Sequence, residues 1–323
     1  HVVAVHLHHD LVDDAGLDAW LDAENPPAAP STADLAAAAT EAQRFARACT
    51  ARSGNERLSL VSSSIAVDDL DVLRVALGEA QLTYLGYSYG GYLGALYADR
   101  YPNRVRAFLL DGAVEPGLSF AARLGEQAQS FEAGLARFLV DCARRLVCSF
   151  VTDKEDAASS FDALMAKLRS SPITLKDGRK LNQALALSGV MAGLYARETW
   201  GTIAAGLAAA EEGNGEILAA LADSYVERGD NGSYNSNSVE ANTAINCVDY
   251  AADRDPQSYA DLAARTLPAA PHFASLLAFS GLVCAYWPIE AEPAAKVRAA
   301  DAPPILVIGT TGDPAAPYAW SVR

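Results

Sequence analysis

The segment Leu82-Thr83-Tyr84-Leu85-Gly86-Tyr87-Ser88-Tyr89-Gly90-Gly91 constrains this chain more than any other. Its short apolar run, Leu82 to Leu85, reads as a buried strand. A helix is predicted from about Gly91 to Arg100, stopped before Pro102. Between strand and helix lies G-x-S-x-G, from Gly86 to Gly90. The five-residue pattern alone is weak. A strand before it and a helix directly after it are what make it specific for a nucleophile turn. Such a turn is so tight that side chains at positions 86 and 90 are expected to collide with neighbouring backbone, hence glycine at both. It holds Ser88 in a strained backbone and lifts the hydroxyl above the sheet. It also aims the Tyr89 amide and the helix N-terminus at a developing oxyanion. The bland alternative is a glycine-rich turn carrying a solvated serine.

The surrounding order fits that reading. Ser31-Thr32-Ala33-Asp34 predicts a helix start, and Gly54-Asn55 the break after a helix running to about Cys49. Ile65, Leu70, Leu73 and Leu77 recur at helical spacing, with Gly78 as the stop. Val105 to Leu110 is a second buried strand ending at Asp111-Gly112. Helix, strand, turn, helix, strand indicates a parallel sheet with helical crossovers, an α/β fold. From about Leu118 to Ala300 the pattern is mainly helical, near 119–147, 159–170, 181–211, 215–228 and 256–280, with a polar interruption at 229–237. Pro303-Pro304 then leads into the strand Ile305-Leu306-Val307-Ile308-Gly309. The expected organisation is a core at 1–117, a large helical cap inserted at 118–300, and a continuation of the core at 301–323. Such an insertion usually sits over the strand ends, where ligands bind.

Composition narrows the partners. The chain of 323 residues is 51% apolar and 20% charged, as a globular protein is. With 25 Lys and Arg against 40 Asp and Glu, its net charge of −15 excludes a general nucleic-acid binder and disfavours docking on anionic lipid. No apolar run approaches the ~18 residues needed to span a bilayer, and His1 to Asp10 lacks the pattern of a signal peptide. The five cysteines, Cys49, Cys142, Cys148, Cys247 and Cys284, contain no C-x-x-C pair. They are either five buried thiols or a disulfide set in an exported protein; Cys142 and Cys148 are close enough for a small loop.

A serine nucleophile needs a base, and the base an orienting carboxylate. In hydrolases built on this turn the chain order is serine, acid, histidine. Asp111 and Asp313 both end buried strands downstream. Asp313, in Gly312-Asp313-Pro314, is the expected acid, whereas Asp111 reads better as a cap on its strand end. No histidine follows Asp313; the five are His1, His6, His8, His9 and His272. His272 would require the order serine, histidine, acid. His6, His8 and His9 lack the spacing of a metal site and read as a polar strand end or loop, so no metal and no cofactor is expected.

The residues 69–78, Tyr84-Leu85-Gly86-Tyr87-Ser88-Tyr89-Gly90, Tyr92-Leu93-Gly94, Asp111-Gly112-Ala113-Val114-Glu115-Pro116 and Gly312-Asp313-Pro314-Ala315-Ala316-Pro317-Tyr318 resemble the secreted tripeptidyl aminopeptidases of actinobacteria. Those are α/β-hydrolase serine peptidases related to the proline iminopeptidases. Trp200, Ala244 to Asp249 and Cys284-Ala285-Tyr286-Trp287-Pro288 also look like landmarks of that family. The resemblance implies Ser88 as nucleophile, Asp313 as acid and the Tyr89 amide as one oxyanion donor. It places the catalytic histidine beyond Arg323 and the second oxyanion donor before His1, so that the chain reads as truncated at both ends and inactive by itself. It implies bridges Cys142–Cys148 and Cys247–Cys284, with Cys49 pairing upstream, and secretion or residence in the cell envelope. One departure is Gly91, where threonine is common.

The expected reaction is acyl transfer to Ser88 and hydrolysis of the acyl-enzyme, on a peptide with a free N-terminus. Its ammonium needs an acidic partner, for which Glu198, Asp249 and Glu115 are candidates. The alternatives are a carboxylesterase or lipase-like hydrolase on the same fold, and a non-catalytic binding protein.

Overall fold

The computed structural model of the chain describes residues 12–144, 148–150, 157–291 and 296–323. His1, His6, His8 and His9 lie outside the described residues. The N-terminal part contains α1 (Asp14–Leu21), α2 (Thr32–Ser53), α3 (Asn55–Leu58), α4 (Ser63–Ala76), β1 (Leu82–Tyr87), α5 (Tyr89–Arg100) and β2 (Val105–Asp111). There follow α6 (Phe120–Arg144), α7 (Ala157–Ser170), β3 (Ile173–Thr174), β4 (Lys180–Leu181), α8 (Gln183–Leu194), α9 (Trp200–Glu211) and α10 (Glu216–Tyr225). Then come α11 (Ser238–Asp249), α12 (Pro256–Thr266), α13 (Phe273–Ser280), β5 (Leu306–Ile308) and α14 (Tyr318–Val322).

The strands β1, β2 and β5 pair in parallel, in that order, with Gly86 opposite Leu110 and Asp111 opposite Ile308. Strands adjacent in space are thus separated by the whole helical insertion in sequence. This is an α/β-hydrolase fold with a large helical layer set into a parallel sheet. The register brings the C-terminal ends of β1, β2 and β5 level.

Local signals explain most element boundaries. Ser31 caps α2 in a capping box: Asp34 N–H donates to Ser31 Oγ at 3.2 Å, and Ser31 N–H donates back to Asp34 Oδ2 at 2.9 Å. Helix α5 begins at Tyr89, two residues earlier than its spacing predicts, and the helical pattern at 181–211 breaks into α8 and α9 at the turn Arg197–Thr199. Helices α1 and α11 and the hairpin β3–β4 carry too little apolar periodicity to be foreseen.

The apolar stripe of α4 is not its buried face. Leu73 and Leu77 are exposed, and the helix instead buries Ser63, Ala66, Val67, Asp71 and Arg74. The reason is a polar network. Arg74 Nε donates to Asp71 Oδ1 at 2.9 Å, the Tyr97 hydroxyl donates to the same oxygen at 3.0 Å, and Arg104 pairs with Oδ2. Burial pushes the Asp71 carboxyl up, but these donors outweigh it and hold it below the usual carboxylate range.

Apolar clusters fill the remainder. One joins α6, α7, α8, α9, α10 and α13 around Phe131, Phe138, Phe161 and Phe273. A second joins α2, α11, α12 and α13 around Phe45, Tyr250 and Trp287. Two disulfides staple these layers, Cys142–Cys148 and Cys247–Cys284. Cys49 is a free, fully buried thiol in the second cluster, where burial and the nearby Glu240 push its pKa up to about 12. Leu85, Tyr87 and Leu306 on the outer strands of the sheet are exposed.

Candidate active site

Ser88 stands where β1 turns into α5, with φ 51° and ψ −114°, in the left-handed half of the map that a side chain rarely adopts. Backbone bonds hold it there. Its N–H donates to the Asp111 carbonyl at 2.8 Å, and its own carbonyl accepts from Gly91 N–H at 2.8 Å and Tyr92 N–H at 3.3 Å. The Tyr84 hydroxyl braces the turn by donating to the Gly90 carbonyl at 2.7 Å. The Ser88 side chain is exposed. Tyr89 and Gly90, in the first helical turn, have N–H groups with no intrahelical acceptor, which is the donor arrangement an oxyanion requires.

The glycines divide differently from expectation. A Cβ at Gly86 would lie 2.3 Å from the Gly90 carbonyl oxygen, so glycine is obligatory there. At Gly90 a Cβ would meet only the Tyr84 hydroxyl, at 3.4 Å, so the expected backbone collision is absent. Gly91 is instead the second close approach. A Cβ there would lie 2.9 Å from Ala113 Cα, because α5 rests directly on the chain leaving β2.

Asp313 follows β5. Its Oδ1 accepts from the N–H groups of Ala315 and Ala316, both at 2.9 Å. Oδ2 has no hydrogen bond among the described residues and is not sealed off. It lies 3.6 Å from where a Cβ on Gly112 would be, and Gly112 follows the Asp111 whose carbonyl holds Ser88. The serine and the carboxylate therefore flank the end of β2, one from each side. Helix α6 clamps the acid loop: Ser130 Oγ donates to the Asp313 carbonyl at 2.7 Å and Gln127 Nε2 to the Ala315 carbonyl at 2.7 Å. Asp111 contributes its backbone carbonyl; its carboxylate makes no hydrogen bond among the described residues.

Asp249, at the end of α11, reaches the same corner. Its Oδ1 accepts from Ser63 N–H at 2.8 Å and its Oδ2 from Ser63 Oγ. The Tyr89 hydroxyl is 2.6 Å from Ser63 Oγ. Since the Ser63 proton goes to the carboxylate, Tyr89 donates to Ser63. The helical layer is thus tied to the residue next to Ser88, a connection with no signature in the sequence. Burial pushes the Tyr89 hydroxyl well above the usual tyrosine range, so it stays a donor.

An aromatic run leads away from this corner. Tyr89 stacks on Tyr92 at 6.0 Å, Tyr92 on Tyr250 at 6.3 Å, and Tyr250 on Phe120 at 5.5 Å. Phe120 lines a cavity of about 800 Å³ between the α1–α2 region and helices α6, α8, α11 and α13. Arg123, Gln127, Phe131 and Tyr195 share its wall, as do Glu24, Asp34 and Glu41. Ser88 and Asp313 do not; Gln127, which bonds to the acid loop, is the point where cavity and acid loop touch.

The other candidates lie apart. Glu115 pairs with Arg323 Nε at 2.6 Å, beyond the end of β2. Glu198 is exposed on the turn Arg197–Thr199 and does not line the cavity. His272 is bound on both sides, Nδ1 to Glu132 at 2.7 Å and Nε2 to Asp162 at 2.8 Å, which joins α13 to α6 and α7. Burial pulls its pKa down, but these two carboxylates outweigh it and raise it above the usual histidine value. Among the described residues no cluster of three or more His, Cys, Asp or Glu could hold a metal ion, and no helix is long and apolar enough to cross a membrane.

A Mycobacterium tuberculosis protein named serine protease Hip1 is 36% identical over 292 residues, covering 86% of this chain and 55% of that protein. Carboxylesterase B of the same species is 34% identical over 315 residues, covering 94% of this chain and 59% of that protein. Tripeptidyl aminopeptidase of Streptomyces lividans is 29% identical over 303 residues, covering 92% of this chain and 55% of that protein. The chain thus spans little more than half the length of the relatives it matches. The profile of the alpha/beta hydrolase fold family matches residues 62–321, from the start of α4 through the acid loop, and the chain belongs to that family.

Proposed function

We propose that this chain carries the nucleophile and acid of a serine exo-aminopeptidase that releases short peptides from free N-termini. The observation that carries the reading is the division of labour within Asp313. Two backbone amides anchor Oδ1, and Oδ2 is left open beside Gly112 at the end of β2, the strand end that Ser88 flanks from the other side. That is the arrangement needed to accept the N–H of an imidazole and fix its tautomer. Ser88 Oγ attacks the substrate carbonyl while its proton passes to that imidazole. The Tyr89 N–H stabilises the oxyanion; the C–N bond then breaks as the imidazolium gives its proton to the leaving amine, and water, deprotonated by the same imidazole, releases the acyl group from Ser88. His272 is engaged by Glu132 and Asp162, so the imidazole comes from sequence outside the described residues.

A peptide substrate is favoured over a simple ester by the cavity, whose α1–α2 wall holds Glu24, Asp34 and Glu41. Carboxylates at that wall suit an ammonium group better than an acyl chain. Glu24, Asp34 and Glu41 therefore join Asp249 as candidates for the substrate N-terminus, and Glu115 and Glu198 fall behind them. The relative named carboxylesterase B keeps esters as the second reading. The two disulfides support an exported protein.

The test uses the full-length protein. N-terminally free peptide anilides should be cleaved, N-acetylated ones should react at least tenfold more slowly (roughly the worth of one charge-assisted contact), and Ser88→Ala should abolish both. Cleavage surviving that substitution rejects the nucleophile assignment. Preference for p-nitrophenyl esters, with indifference to N-acetylation, selects the esterase reading.

A further inference from the structure

Among the described residues, Arg123 is a cation of the cavity wall without a counter-ion. Its Nη1 donates to Asn246 Oδ1, and its guanidinium lies 4.9 Å over the ring of Tyr250. Asn246 is oriented in turn: its Nδ2 donates to the Asn242 carbonyl at 2.8 Å and to Asn242 Oδ1 at 3.0 Å, which turns Oδ1 towards Arg123. Arg123 Nε is buried and has no hydrogen-bond partner among the described residues, and no described carboxylate pairs with the guanidinium. Three other arginines of the helical layer differ. Arg179 pairs with Asp177 and Asp223, Arg228 with Asp18, and Arg169 with Glu24. Arginine has five N–H donors; among the described residues Asn246 and the Tyr250 hydroxyl engage the guanidinium, and Nε is left without an acceptor. A guanidinium held by Tyr250 and one amide, facing a cavity, is pre-organised for an anion that supplies the missing acceptors.

We propose that Arg123 forms an anion subsite of the cavity, receiving a carboxylate on the acyl side of the substrate. In the aminopeptidase reading, on which this placement rests, the carboxylate is an acidic side chain within the released segment. In that reading the same cavity takes the substrate ammonium at its α1–α2 wall, so a carboxylate bound at Arg123 lies N-terminal to the cleaved bond. The α-carboxylate of the released peptide is the other source of the same chemistry. Asp249 is the carboxylate whose charge acts on Tyr89, Tyr92 and Tyr250; it is engaged by Ser63 and forms no ion pair with Arg123 among the described residues.

The test measures binding by calorimetry to the full-length Ser88→Ala protein, with and without Arg123→Met. The probes are Ala-Glu-Ala-amide, Ala-Gln-Ala-amide, Ala-Gln-Ala with a free carboxylate, and glutarate. The glutamate peptide should bind about ten- to a hundredfold more tightly than its glutamine counterpart, the worth of a charge-assisted pair. Arg123→Met should abolish that ratio, and Arg123→Lys should keep part of it. A merely structural role would weaken both peptides alike and leave the ratio unchanged, which overturns the proposal. An Arg123-dependent gain confined to the free α-carboxylate supports the subsite and assigns it to the released peptide. Arg123-dependent binding of glutarate without peptide binding supports the subsite and rejects the peptide reading. If no probe distinguishes the arginine from the methionine protein, there is no anion subsite.

Discussion

At the end of β1 the contacts that set the geometry each have a backbone atom on at least one side; in the helices from Phe120 to Ser280 they run between side chains. Ser88 is held by the Asp111 carbonyl, Gly112 by the Ile308 carbonyl, and Asp313 by the Ala315 and Ala316 amides. The helical layer is held by buried Phe131, Phe138, Phe161 and Phe273, and by ion pairs such as Arg228 with Asp18. Backbone bonds are indifferent to side-chain identity except where a Cβ does not fit. Packed side chains are sensitive to every lost methylene. The nucleophile turn should therefore fail through a few positions and lose function first, whereas the helical layer should lose stability first.

The largest expected effect is on catalysis. Ser88→Ala should lower kcat/KM roughly 10³-fold or more with little change in the unfolding midpoint. Ser88→Gly should be equally inactive yet more stable by about 1 kcal/mol, because φ 51° suits glycine. Chemical denaturation checks this, and a glycine protein no more stable than the alanine one would remove backbone strain from the account. Next in size, Phe161→Ala should cost about 3–5 kcal/mol of stability while the folded fraction keeps its kcat. Gly86→Ala should cost only about 1–3 kcal/mol but remove most activity, since the Gly90 carbonyl must move and Ser88 moves with it. If the phenylalanine and glycine substitutions affect kcat and stability in the same proportion, the contrast between the two regions is wrong.

Asp249→Asn probes the link between them. It should lower kcat on the order of tenfold with KM nearly unchanged, because the carboxylate reaches Tyr89, the proposed oxyanion donor, through Ser63. A rise in KM for N-terminally free substrates, at constant kcat, would instead make Asp249 an ammonium partner. The smallest effect concerns pH. His272 has a raised folded-state pKa, so its stabilisation is complete below its unfolded value near 6.5 and is lost as pH rises through the folded value. Denaturation midpoints from pH 6 to 9 should fall accordingly, and His272→Gln should flatten that part of the curve.

Much of the nucleophile turn was legible because its rule is local. Gly86, Ser88 and the strand and helix around them are read within ten residues, and the turn at Asp313 is equally compact. Gly91 was harder, since its close neighbour Ala113 is on a different element. The buried face of α4 misled the periodicity argument because Asp71 and Arg74 go inside together with Tyr97 and Arg104, and pairing across elements leaves no hydropathy trace. The polar corner of Asp249, Ser63 and Tyr89 and the stack of Arg123 on Tyr250 were invisible for the same reason.

The sequence by itself determined the strand, turn and helix that strain Ser88, the acid-bearing loop after a resumed strand, and the helical character of what lies between. These follow from short-range steric rules and apolar periodicity. Tertiary structure alone decided that Asp313 leaves Oδ2 open beside Gly112, that Asp249 braces Tyr89, and that Arg123 faces the cavity unpaired. Those outcomes depend on which donors and acceptors from distant segments come within 3 Å or so of each other, a typical hydrogen-bond distance, and that is set by the packing of whole helices.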